Sequence, residues 1–137
     1  MNTDSTNAEP HSVKKFKMLS EGTIIALATP AGSGAIGIIR LSGPDAFEKT
    51  SFFFRSKSKH TLDKIPSNKI ILGNFSLDEE IIDEVLLTKF KGPHSYTGEN
   101  VVEISCHGSS YIQQKIITCY LDAVSYTHLT LPTILLV

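Results

Sequence analysis

Gly92-Pro93-His94-Ser95-Tyr96-Thr97-Gly98-Glu99-Asn100-Val101-Val102-Glu103-Ile104-Ser105-Cys106-His107-Gly108 is the stretch on which the fold turns. Its first half is turn-forming and rich in hydroxyls; its second half alternates as a strand does. Alternation puts Val102, Ile104 and Cys106 on one face and Val101, Glu103, Ser105 and His107 on the other. Gly98 and Gly108 bracket the strand. A carboxylate and an imidazole on one face, beside a Gly/Ser/Thr loop, suit a small-molecule site.

Downstream, Ser109 or Ser110 can cap a helix running to about Ala123, with Ile112, Ile116, Cys119, Tyr120 and Ala123 as its apolar stripe. Upstream, Lys69 to Ser76 and Ile81 to Phe90 read as strands joined by a hairpin connection within Asn74 to Glu80. Thr23 to Thr29 and Ala35 to Ser42 are apolar, β-branched runs separated by Pro30-Ala31-Gly32-Ser33-Gly34, a plausible hairpin or core pair. Gly43-Pro44 marks a helix start, and Phe47, Thr50 and Phe54 recur at helical spacing, which predicts a short helix over 44–54. Arg55 to His60 reads as a basic, exposed loop.

At 137 residues the chain suits one domain. Residues 1–22 are polar and patternless, as in a disordered extension, and Met18 could serve as a start in place of Met1. The domain proper spans 23–123. The hydrophobic share of 41% and net charge of −1 describe a globular chain without the concentrated basic surface that nucleic acid or membrane binding requires. Two cysteines and no secretory leader suit reduced thiols in the cytoplasm. No apolar run approaches the ~20 residues of a spanning helix.

Three local patterns invite chemistry. Gly32-Ser33-Gly34-Ala35-Ile36-Gly37 matches G-x-G-x-x-G, but it leads into the β-branched Ile36 to Leu41 and no acid follows over 51–59, which argues against a dinucleotide site. No Gly-Lys-Ser/Thr loop is present for GTP or ATP. Cys106 and His107 are adjacent on a strand, point oppositely, and cannot form a local nucleophile–base pair; no spacing supports zinc. Hence no catalytic residue and no metal ligand is assigned. Arg40 lies inside an apolar strand and should find a carboxylate or a ligand, and Glu103 occupies a comparable place in its own strand. The pair could be a structural ion pair or two contacts to one polar ligand.

Ala28-Thr29-Pro30, Ile36-Gly37-Ile38-Ile39-Arg40-Leu41-Ser42-Gly43, Ile82-Asp83-Glu84, the Pro93 to Ile104 segment and Cys106-His107-Gly108 together resemble, in order, the N-terminal domain of the MnmE/TrmE family of tRNA modification GTPases. The resemblance covers about Thr23 to Ala123. It implies an α/β (α+β) unit, a mixed β-sheet with flanking helices, that binds a reduced folate (5-formyltetrahydrofolate or methylenetetrahydrofolate) and forms a homodimer. The family's folate-contacting arginine and glutamate fall on Arg40 and Glu103. The family also implies a parent enzyme that hydrolyses GTP with Mg2+ and K+ in other domains. That enzyme works with a flavoprotein, MnmG or GidA, and modifies the wobble uridine of tRNA with a carboxymethylaminomethyl-type group. This chain alone is expected to hydrolyse no GTP.

Three differences from the family pattern are visible: Ser33 and Ala35 in the glycine loop, Asn100 for an Asp, and Ser109 for a Gly. Residues 124–137 match nothing expected there and read as a non-native tail. Two other readings stay open, a ligand-free dimerisation module and a folate-dependent aminomethyltransferase-like domain.

Overall fold

The structure is a computed structural model that describes residues 16–20 and 22–136, with side chains described over 22–123. Seven strands form one sheet: β1 Phe16–Ser20, β2 Thr23–Leu27, β3 Ile36–Ser42, β4 Phe54–Ser56, β5 Ile71–Leu77, β6 Glu80–Phe90 and β7 Val101–His107. Two helices accompany them, α1 Ala46–Ser51 and α2 Ser110–Leu136, with a 3-10 turn at Leu62–Lys64. The spatial order is β1-β2-β3-β7-β6-β5-β4. The class is α+β, as the sequence implies. Within it the sheet is antiparallel throughout rather than mixed. The β5–β6 hairpin is tight: Asp78, at φ 57, lies in a connection of two residues.

Alternation then sorts the strands into two faces. Ile25 opposes Leu41, which opposes Val102; Leu27 opposes Ile39, which opposes Ile104 and then Leu87. These rungs form an apolar face on which the helices lie. Ile116, Cys119 and Tyr120 of α2 are buried against it with Phe53 and Phe75. Phe75 stacks on Phe53 with ring centroids 5.2 Å apart, and both rings meet Tyr120, at 5.7 Å and 5.0 Å. The Tyr120 hydroxyl shares a 3.0 Å hydrogen bond with Thr50 of α1, so its polar end is satisfied inside the core.

The start of α2 is fixed by Ser109, whose Oγ accepts from the Tyr111 and Ile112 amides at 3.1 and 3.3 Å. This is the N-cap that the sequence offers. The stripe is as read, with Gln113 buried as well. The helix backbone continues past Ala123 to Leu136, so no break marks the boundary drawn at 123.

Three elements differ from the sequence reading. The helix over 44–54 is shorter, because Phe54 leaves it to pair with Phe75 as part of β4 and is fully buried there. The basic 55–60 stretch begins inside that strand. The extension assigned to residues 1–22 includes β1, whose backbone pairs with β2 and occupies an edge that would otherwise present bare amides. Residues 1–15 and 21 lie outside the described residues.

Candidate functional site

The face opposite the helices carries Ile36, Ile38, Arg40 and Ser42 of β3, and beside them Val101, Glu103, Ser105 and His107 of β7. Arg40 and Glu103 are direct cross-strand partners. The Arg40 Nη2 donates to Glu103 Oε2 at 2.6 Å, and Nε donates to the same oxygen at 2.9 Å. The two side chains remain about a third exposed, at 34% and 30%. A pair this wet contributes at most about 1 kcal/mol to stability. Glu103 Oε1 accepts no hydrogen bond from the described residues, so the carboxylate keeps acceptor capacity for another molecule.

The loop over 91–100 folds back above this pair. Asn100 fastens it twice, through Oδ1 to the Gly92 amide at 3.0 Å and through its carbonyl to the Gly43 amide at 3.0 Å. Thr97 Oγ1 hydrogen-bonds Ser42 Oγ at 2.8 Å. Gly98, at φ 85, allows the turn that brings the chain round into β7. Tyr96, 88% exposed, is thereby held with its ring centroid 5.4 Å from the Arg40 guanidinium carbon. An exposed aromatic over a cation is a stacking platform for a planar ligand. Sequence reasoning missed Tyr96, because the contact spans two segments with no shared pattern.

Cys106 and His107 point apart, as alternation requires. Burial, with a smaller contribution from Asp83, pushes the Cys106 thiol up to about 11. Burial raises Cys119 as well, and also Tyr120. These are packing groups, not nucleophiles. An unfolded thiol ionises near its ordinary value of about 8.5, whereas native Cys106 holds its proton to about 11. The native state therefore binds more protons across this window. Stability from this group is intact below the unfolded value and is lost as pH rises toward 11. Lys89, whose amine burial pushes down, acts in the opposite sense. The urea midpoint is expected to fall between pH 8 and pH 10.5, and to fall less in Cys106→Ala; parallel falls would refute the assignment.

His107 is tied to Asp83: its backbone amide donates to Oδ2 at 2.9 Å and its Nδ1 pairs with Oδ1 at 2.7 Å. The glycine loop does not open a helix. It packs against the start of α2, where the Gly34 amide donates to the Gly108 carbonyl at 2.9 Å, so the dinucleotide reading fails on geometry. A larger cleft of about 630 Å³ opens on the helix side between α1, the 3-10 turn and the end of β6. Its Lys89 is committed to the fold, donating to the Leu62 carbonyl at 2.9 Å over the Phe47 ring. Glu48 and Asp63 there offset Lys89 and Lys91, so the cleft has no net charge to select a ligand. Among the described residues no cluster of His, Cys, Asp and Glu could hold a metal ion, and no helix is long and apolar enough to cross a membrane.

A family model described as the N-terminus of the GTP-binding protein TrmE matches residues 23–129. The chain belongs to this family. The TrmE match includes every strand from β2 onward and the loop that carries Tyr96. Similar proteins include the tRNA modification GTPase MnmE of Christiangramia forsetii, 59% identical over 95 residues, which is 69% of this chain and 20% of that protein. The protein of the same name from Flavobacterium psychrophilum is 51% identical over 100 residues, 73% of this chain and 22% of the relative. That of Clostridioides difficile is 44% identical over 105 residues, 77% and 23%. The chain thus spans about a fifth of the length of the curated relatives it matches.

Proposed function

We propose that this chain is the folate-binding and dimer-forming N-terminal unit of a tRNA modification GTPase. The observation that carries the reading is the Arg40–Glu103 pair on the helix-free face of the sheet, with the Tyr96 ring above it. A pterin offers adjacent N–H donors on one edge and flat faces above and below. Glu103 Oε1 can accept from that edge, the Arg40 guanidinium can meet a ring carbonyl, and Tyr96 can stack on a face. The bound folate would supply a one-carbon unit, as 5-formyl- or methylenetetrahydrofolate. GTP hydrolysis, with its Mg2+ and K+, would belong to other parts of a longer protein. So would work with an MnmG/GidA-type flavoprotein on the wobble uridine of tRNA, in the cytoplasm.

Dimerisation draws on the same face. Ile36, Leu72 and Leu86 stand on it with 55%, 44% and 42% of their surface exposed, an apolar area suited to a second copy. That area also favours a second reading, a dimerisation module without ligand, in which Arg40 and Glu103 serve only each other.

Calorimetry with 5-formyltetrahydrofolate separates the two. Wild type is expected to bind, and Glu103→Ala to bind at least 100-fold more weakly, because a charge-assisted acceptor and the Arg40 anchor are lost together. The melting temperature should hardly move, since the pair is about a third exposed. No binding by wild type would leave the dimerisation module; equal binding by both proteins would remove Glu103 from the site.

A further inference from the structure

We propose that a groove ending at His107 holds the tail of the reduced folate, the aryl ring and amide that follow the pterin, with His107 Nε2 accepting from the tail amide N–H. The inference rests on the folate reading above. It begins from an exposed side chain that is nevertheless held. His107 is 72% exposed, whereas the Asp83 side chain that grips it is 9% exposed. The β6–β7 ladder stops at Leu86 and Ser105, and Asp83 Oδ2 takes the His107 backbone amide that the ladder leaves over. That bond alone accounts for the strand end. The second contact, between Nδ1 and Oδ1, does something else: it orients the ring, and because a carboxylate can only accept, the neutral imidazole carries its proton on Nδ1. Nε2 is then a fixed acceptor facing outward. Holding an exposed side chain in one rotamer costs conformational entropy, which a ligand-binding role would explain.

A groove of about 160 Å³ runs beside this imidazole, lined by Ile36, Glu84, Leu86, Ser105 and His107. Ile36 and Leu86 supply apolar sides for an aryl ring, so the tail and a second copy would share this apolar area. Glu84 at the rim is already paired with Lys57, so its charge is partly offset. The groove lies on the same sheet face as the Arg40–Glu103 pair: Ile38 opposes Ser105 two residues along from that pair, and Ile36 opposes His107 four residues along. His107 is four residues from Glu103 along the strand, about 13 Å, within reach of one extended folate molecule. The pterin end and the amide end can therefore be read by the same strand.

The test compares 5-formyltetrahydrofolate with 6-methyltetrahydropterin, which lacks the tail, by calorimetry on the whole chain. His107→Ala is expected to weaken folate about tenfold and leave the pterin unchanged. Glu103→Ala should weaken both. Asp83→Asn keeps an acceptor for the His107 amide but turns an NH2 toward Nδ1, which moves the ring proton to Nε2; it should match His107→Ala for folate, with the tautomer change visible in imidazole 15N shifts. If His107→Ala lowers both ligands equally, or neither, while wild type binds folate, the tail assignment is wrong and the folate reading stands. If wild type binds neither ligand, the folate reading falls and the assignment with it.

Discussion

Phe75→Ala is expected to destabilise the domain by about 3–5 kcal/mol, the usual range for deleting a buried aromatic ring. Phe75 is fully buried on the core face of β5, opposite Phe54 across one ladder and Asp83 across the other. Its ring stacks on Phe53 and meets Tyr120 of α2, so it joins β4, β5 and the helix layer at one point. Removing the ring leaves a void that three separate elements would have to move together to close, and close packing resists that. A domain of this size has roughly 5–15 kcal/mol in total. The loss would be a large share of it. Urea denaturation should show the midpoint falling with little change in slope. Leu72→Ala, on the same strand but 44% exposed on the other face, should change stability by only about 0.5 kcal/mol. Equal losses at the two positions would contradict the placement of the core.

Gly108→Ala is expected to cost about 3 kcal/mol, at the upper end of overpacking effects. An added Cβ would lie 2.1 Å from the Gly34 carbonyl oxygen and 2.5 Å from its carbon. Both are backbone atoms, and the Gly34 amide is itself bonded to the Gly108 carbonyl, so neither side can yield without breaking that link. The mirror substitution tells the cause. An Ala at Gly34 would meet nothing nearer than the Ile36 carbonyl at 3.8 Å, and should be neutral or slightly stabilising. Melting temperatures of the two variants provide the comparison; a Gly34→Ala as damaging as Gly108→Ala would rule out the contact as the reason.

The central part of this architecture was legible because period-2 alternation is strong in β3 and β7. Reading Ile39 and Leu41 as one face and Arg40 as the other, with Glu103 in the matching position, needed only the pleat. The register that sets Arg40 against Glu103 was not legible. It depends on a pairing 63 residues apart that no local pattern encodes. β4 was hidden for a related reason: Phe47, Thr50 and Phe54 fit a helix by spacing, but Phe54 pairs with Phe75 in the sheet and is buried in the core, and tertiary burial outweighs a short helical pattern. Tyr96 and Asp83 were invisible as site residues because each reaches its partner through a loop or a strand end. Ser109 as a helix cap was readable, since capping is local chemistry.

The strand order has a mechanical meaning. Residues 16–42 make a three-strand ladder and residues 54–107 a four-strand one, and the sheet joins them at a single seam, β3 against β7. Arg40 and Glu103 face each other across that seam. Their own bond adds little, but a molecule gripped by both would straddle the join, so its binding energy would add to what keeps the two ladders together.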